Sequence, residues 1–192
     1  MSTRASERPT VVLTIGHSTR TLEELVELLR GHGAVHLVDI RTVPRSRHNP
    51  QFNRDRLALE LPAAGLAYTH MPALGGLRHA RRDSPNGGWR NASFRGFADY
   101  MLTPEFDAGL VELMATAAKG RTAIMCAEAV PWRCHRSLVA DALTVRGVQV
   151  EHIMNAARVD RHALTPFAVV RGTQVTYPPA PSLSASSSRS AG

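Results

Sequence analysis

Three short stretches of this 192-residue chain bring together residue types that can do chemistry. The first is Gly16-His17-Ser18. The second runs from Asp39 and Arg41 through Arg45 and Arg47. The third opens at Cys126, includes Glu128, and closes with Arg133, Cys134, His135 and Arg136. A cysteine beside arginines and a histidine is the setting that favours a thiolate, the nucleophilic form of the side chain. Cys126 is therefore the candidate nucleophile, and Glu128 and His135 are the candidate proton-transfer groups. The competing reading makes Cys126 a small buried hydrophobe and Glu128 a loop cap or salt-bridge partner.

Guanidinium forks match phosphate and carboxylate oxygens. His17, Ser18, Arg41, Arg45, Arg47, Arg133 and Arg136 are accordingly the candidate anion- or substrate-binding set, the alternative being that Arg41 pairs with Asp39 or Glu128 and the others are merely solvated. His17 and His70 end strands and serve either as ligands or acid/base groups, or as hydrogen-bond partners of a neighbouring loop. Cys126, Cys134 and His135 lack the paired spacing of a structural zinc site, so no metal and no cofactor are expected.

Three strands deliver these stretches. Val11 to Ile15 is a buried strand, followed by a helix whose Thr21 and Glu24 have capping-box spacing and whose Leu22, Leu25, Leu28 and Leu29 form one stripe. Val35 to Ile40 is the second strand. Asn53 is read as the cap of a helix carrying Leu57 and Leu61, closed by Gly65, and Ala67 to Met71 is a third strand. Pro72 to Arg90 is too long and polar for a minimal connection and reads as a functional lid or a mobile loop. Helices over Ser93–Met101 and after Thr103-Pro104, a strand over Thr122–Cys126, a helix over Arg136–Arg146, a strand over Val148–Met154 and a hairpin around Gly172-Thr173 complete the alternation.

This pattern predicts an α/β fold: one three-layer domain over residues 10–178, with a mostly parallel central sheet of about five strands and a C-terminal hairpin. Residues 1–9 and 179–192 read as disordered, dispensable tails. In such sheets ligands bind beyond the carboxyl ends of the strands, where all three polar stretches fall, so they are expected to converge on one pocket.

Thr14-Ile15-Gly16-His17-Ser18, Val38-Asp39-Ile40-Arg41, Pro44-Arg45-Ser46-Arg47, Asn49-Pro50-Gln51-Phe52-Asn53, Leu74-Gly75-Gly76, Met125-Cys126-Ala127-Glu128 and Cys134-His135-Arg136-Ser137 together resemble the DUF488 family from about Val11 to Tyr177. That family is named for lacking an assigned function, so the resemblance implies a fold and carries over no catalytic residues. A weaker likeness is to rhodanese-type domains, through Asp39-Ile40-Arg41, Cys126 and Arg136-Ser137. Their loops hold about four to six residues between the cysteine and the anion-cradling arginine. Here Pro131 and Trp132 lengthen the loop before Arg136, and Arg133 stands nearer the expected spacing.

Composition bounds the function class. Apolar residues make up 43% and charged residues 20%, ordinary values for a chain with a buried core. The apolar runs are only strand length and residues 1–9 carry no signal-peptide core, so a cytoplasmic protein without a membrane partner is expected. Two cysteines are too few for a disulfide scaffold and read as thiols in a reducing compartment that pair only under oxidation. The net charge of +7 favours an anionic partner, either a small molecule or nucleic acid. Lys119 is the sole lysine, a bias that reflects bidentate anion recognition or the composition of the genome. Oligomeric state is not legible.

Two functions follow. One is an enzyme of transferase or hydrolase type acting on a phosphate-bearing or other anionic substrate. The other is a non-catalytic nucleic-acid-binding module using Arg45, Arg47, Arg78, Arg81 and Arg82 for phosphate contacts, with Trp89 available to stack a base. If Cys126 is an activated nucleophile, it should alkylate below the ordinary thiol range near about pH 8.5, more slowly with phosphate or sulfate present.

Overall fold

The computed structural model describes residues 10–181; the expected tail 1–9, and all but the first residues of the tail 179–192, lie outside them. In chain order the strands and helices are β1 (Val11–Gly16), α1 (Leu22–Gly31), β2 (His36–Asp39), α2 (Arg54–Ala63), β3 (Ala67–His70), α3 (Ala92–Tyr100) and α4 (Pro104–Ala117). There follow β4 (Thr122–Cys126), α5 (Arg136–Thr144), β5 (Gln149–Asn155), β6 (Arg158–Arg161), β7 (Val169–Arg171) and β8 (Gln174–Thr176). Short 3-10 turns, each opened by a proline, cover Pro50–Phe52, Pro72–Leu74 and Pro131–Arg133.

The fold is α/β, with a six-stranded sheet in the order β3-β2-β4-β1-β5-β6. All neighbours are parallel except β5 and β6. Successive strand residues point to opposite faces, and the two faces build two cores. Leu13, Ile15, Leu37, Ala123 and Met125 pack with Leu25, Leu29, Leu57 and Leu61 of α1 and α2. Val12, Val38, Ile124 and Val150 pack with Phe97, Phe106, Leu110, Leu138 and Leu143 of α3, α4 and α5. This is a three-layer sandwich, with β7 and β8 paired as the expected C-terminal hairpin.

The Thr21–Glu24 capping box forms as expected. Thr103 caps α4, and its Pro104 occupies the first turn, where the missing N–H is not needed.

Three expectations change. The sheet has a sixth strand, because β6 folds back on β5 through the turn at Ala156-Ala157, which carries none of the glycine chemistry that usually marks a hairpin. Asn53 precedes α2 without a side-chain cap; its Oδ1 instead accepts the Ser46 N–H at 2.7 Å, bracing the arginine loop. The Pro72–Arg90 segment is pinned rather than free-standing. Asp99 of α3 accepts from Arg81 N, Ser84 Oγ and Asn86 Nδ2, and the buried Asn86 also accepts the Tyr177 N–H.

The carboxyl-terminal chain is locked to α5 by the buried carboxylate of Asp141. It accepts from His162 Nε2 at 2.8 Å, Thr165 N at 3.0 Å, Thr165 Oγ1 at 2.7 Å and Tyr177 OH at 2.8 Å. His162 in turn bonds His152, and His152 bonds Thr14 on β1. Four donors converging on one acceptor group make the carboxylate irreplaceable by an amide, whose NH2 would face a donor. Asp141→Asn is therefore expected to lower unfolding stability by about 2–3 kcal/mol in urea titration and to expose the 162–177 segment to protease. An unchanged midpoint would contradict the lock.

Candidate functional site

The order β2-β4-β1 explains the meeting of the three polar stretches, because the strand ending at Cys126 lies between the strand that precedes Arg41 and the strand that precedes His17. Beyond the strand ends the ladder continues. His17 N donates to Cys126 O at 2.9 Å, Ser18 N to Ala127 O at 2.9 Å, and Ile40 N to Met125 O at 3.0 Å. Ser18 takes a positive φ of 50°, turning the chain away from the sheet there.

Two adjoining hollows result. One, of about 340 Å³, is lined by Arg41, Thr42, Gly76, Phe94, Cys126, Glu128, Arg133, Cys134 and His135, among others. The other, of about 400 Å³, includes His17, Ser18, Arg41, Arg45 and Glu128. Arg41 and Glu128 border both, so nine of the ten sequence candidates lie in or directly behind these two adjoining hollows. Arg47 is exposed and lines neither hollow.

Arg136 lies behind the wall, 1% exposed. Its Nη1 donates to Cys126 Sγ at 2.9 Å and to the Glu128 carbonyl at 2.6 Å, and its Nη2 to the Ala129 carbonyl at 2.8 Å, while Nε has no partner. None of the ion pairs among the described residues involves Arg136. Burial, and secondarily the Arg20 charge, lower its pKa to about 10, so it stays a cation at neutral pH. Among the described residues no carboxylate pairs directly with the guanidinium, although the Glu128 charge favours its cationic form, and the anionisable side-chain atom that the guanidinium touches is Cys126 Sγ.

Cys134 is absent from the candidate catalytic and binding set, the sequence having pointed to it only as a partner of Cys126 under oxidation and as a weighed and rejected zinc ligand. Its sulfur is joined to that of Cys126 as a disulfide, with the Cα atoms 7.5 Å apart and both residues buried, so the structure holds the oxidised pair rather than the two thiols expected, and Cys126 is as buried as the competing reading had it. The Pro131–Arg133 turn folds the connecting loop so that Cys134 returns to the end of β4 at the entrance of α5. The backbone N–H of Arg136 reaches Cys134 Sγ at 3.5 Å, and His135 Nδ1 lies 3.6 Å from it. His135 Nε2 faces the Ile40 carbonyl at 3.2 Å, which can only accept. The proton is thereby assigned to Nε2, leaving the Nδ1 lone pair toward Cys134. His135 serves Cys134 directly, and Cys126 only through it.

Arg41 is less available than its charge suggests. Its Nε and Nη2 hold the Asp39 carboxylate at 2.8 and 2.6 Å, Nη2 also reaches the Phe52 carbonyl at 2.7 Å, and Nη1 reaches His17 Nε2 at 3.2 Å. The salt bridge named as the alternative is the one formed. His17 donates from Nδ1 to its neighbour Ser18 O at 2.9 Å, so Nε2 is the acceptor for Arg41, and the ring stacks on Phe52 at 4.2 Å. His70 bonds the Arg41 carbonyl at 2.8 Å, the loop-holding role. Arg45 and Arg133 are exposed and make no ion pair among the described residues, which leaves them as the cations facing the concavity.

Two glycines permit the close approaches. A Cβ at Gly16 would overlap the Glu128 carbonyl oxygen and come within 2.6 Å of Arg136 Nη1; one at Gly76 would come within 2.5 Å of His135 Nδ1. The motifs around these glycines are therefore contact surfaces for the cysteine loop, a role that no local signal in the sequence separates from an ordinary turn. Among the described residues no group of three or more His, Cys, Asp or Glu is placed to hold a metal ion, and no helix is long and apolar enough to cross a membrane.

A family model described as domain of unknown function DUF488 matches residues 21–143, more than half of the chain, from α1 through the cysteine loop to α5. His17 and Ser18 precede the matched span. No curated protein and no solved structure matches the chain.

Burial lowers the pKa of His17, His135 and His152 from the ordinary 6.5 to about 4 in each case, so the folded protein holds all three neutral. Below about pH 6.5 the unfolded chain binds protons that the folded chain refuses, so stability falls as pH drops from about 6.5 towards about 4 and levels off beyond. Urea unfolding at about pH 7.5 and about pH 5 should show the lower midpoint at the acid value. An equal or higher midpoint at acid pH would contradict the neutral assignment of these rings.

Proposed function

The chain belongs to the DUF488 family, and from that premise we propose that it is a thiol-dependent enzyme of transferase or hydrolase type acting on a small phosphate-bearing or otherwise anionic substrate. The observation that carries this reading is the contact between the buried Arg136 guanidinium and Cys126 Sγ at 2.9 Å, on the wall of a hollow that also presents Arg133. The guanidinium stabilises negative charge on sulfur, and the thiolate is the attacking form. Arg133 and Arg45 attract the substrate's anionic group. Arg41 contributes mainly shape, with its charge balanced by Asp39. Glu128, exposed where the two hollows join, is the group positioned to exchange a proton with a leaving group or water.

The nucleic-acid reading draws less support. Of its arginines, Arg81 is paired with Asp83, and Arg78 stacks over the Tyr100 ring and donates to the Gly75 and Pro72 carbonyls. A duplex or single-strand binder would lose affinity steeply and linearly on logarithmic axes with added salt, whereas a small-substrate enzyme would be less sensitive.

Alkylation tests the reading without knowledge of the substrate. In protein reduced with a phosphine, iodoacetamide should modify Cys126, and phosphate or sulfate should slow that modification in a saturable manner that Arg133→Ala weakens. Cys126→Ser should remove any turnover found while retaining the wild-type circular dichroism spectrum. A Cys126 that resists iodoacetamide in the folded protein, or one indifferent to phosphate and sulfate, would overturn it.

A further inference from the structure

We propose that Cys126 and Cys134 work as a thiol–disulfide couple that reduces a small anionic disulfide bound in the cleft, with Cys126 as the attacking sulfur and Cys134 as the resolving one. The inference rests on the reading of Cys126 as a reactive thiol and adds a reaction to it. Three observations carry it. The sulfurs are already in bonding contact, and both line the same hollow. Each has its own supporting group: Arg136 Nη1 at 2.9 Å from Cys126 Sγ, and the His135 Nδ1 lone pair at 3.6 Å from Cys134 Sγ. The Arg136 backbone N–H, at the start of the nine-residue α5, also points at Cys134 Sγ.

This arrangement divides the labour of exchange. The Cys126 thiolate attacks one sulfur of the substrate R–S–S–R′, forming a Cys126–S–S–R′ mixed disulfide and releasing R–S⁻. Cys134 gives up its proton to the released R–S⁻ or to water, with the His135 Nδ1 lone pair orienting its S–H. The Cys134 thiolate attacks Cys126 Sγ, the Cys126–Cys134 bond forms, and R′–S⁻ leaves. Two electrons pass from the dithiol to the substrate, and both sulfur leaving groups are thiolates. A thiol reductant from outside the chain returns the couple to its reduced form by the same exchange. Burial lowers the His135 pKa to about 4, so the ring stays neutral at physiological pH and acts by accepting a hydrogen bond from Cys134 rather than by storing its proton. Arg133 on the rim selects substrates bearing a carboxylate or phosphate.

Gly76 belongs to this account as a positioning residue, because a side chain there would displace the His135 ring from Cys134. No other histidine nitrogen forms a contact with either sulfur among the described residues.

The test uses the reduced full-length chain and 5,5′-dithiobis(2-nitrobenzoate), an aromatic disulfide with two carboxylates. Wild type should release two equivalents of thionitrobenzoate and end with no aryl adduct and no free thiol by mass spectrometry. Cys134→Ser should release one equivalent and retain the adduct on Cys126. Arg133→Ala should slow the reaction with this reagent more than with the uncharged 2,2′-dithiodipyridine. Wild type that ends with an aryl group on each cysteine would overturn the couple. If wild type ends with an aryl group on each cysteine while Cys126 of Cys134→Ser reacts and is protected by phosphate, the resolving role alone fails and the anionic-substrate reading stands. A Cys126 unreactive in Cys134→Ser would defeat both.

Discussion

A guanidinium removed from water and given no carboxylate is an unusual thing for a fold to keep. Arg136 is in that position, held by two carbonyl oxygens of the β4–α5 loop and by the sulfur of Cys126. Neutral carbonyls offset part of the lost hydration, but a full positive charge in a poorly polarisable surrounding is best balanced by a full negative one. The surrounding structure follows from this constraint. The loop from Cys126 to Ala129 curls around the guanidinium because its carbonyls are the ligands. Gly16 must lack a side chain because that loop presses against it, and α5 begins at the arginine, so its first N–H faces the Cys134 sulfur. In the proposed function, the same contact that stabilises the loop favours the thiolate form of Cys126 once the disulfide is reduced.

The charges around the concavity are sorted by this logic. Arg41, in the middle, is balanced by Asp39 and steered by His17 and the Phe52 carbonyl, and it ties the arginine loop to the sheet. Arg45 and Arg133 are left facing solvent at its edges. The site therefore has a scaffold arginine balanced by Asp39, a buried arginine against a sulfur, and exposed arginines that the proposed function assigns to an incoming ligand. Equal counting of arginines from composition would miss these three roles.

Much of the framework was readable from residue pattern. Strand-length apolar runs, the Thr21–Glu24 box and Thr103-Pro104 gave the alternation of strands and helices, and strand-end placement foretold that Arg41 and Cys126 would face one hollow. The unread parts share a cause: they depend on tertiary contacts that residue type and periodicity do not reveal. Cys134 reaches Cys126 only because a proline-started turn reverses the loop between them. Asn53 has the right residue type for a helix cap, yet the neighbouring Ser46 N–H competes successfully for its oxygen. The Pro72–Arg90 segment has a loop's composition, but Asp99, itself unremarkable in sequence, gathers its donors. The β5–β6 turn lacks glycine, so only the sheet edge it extends reveals it.

The central claim is that Arg136 holds Cys126 as a thiolate. It is tested most directly by the ultraviolet absorbance of the thiolate, followed as a pH titration of Cys134→Ser with the Cys126→Ser/Cys134→Ser protein as the blank. The account predicts a difference band that persists well below the ordinary thiol range of about pH 8.5 and disappears only on acidification. A band that appears only as the pH rises through that ordinary range would contradict it.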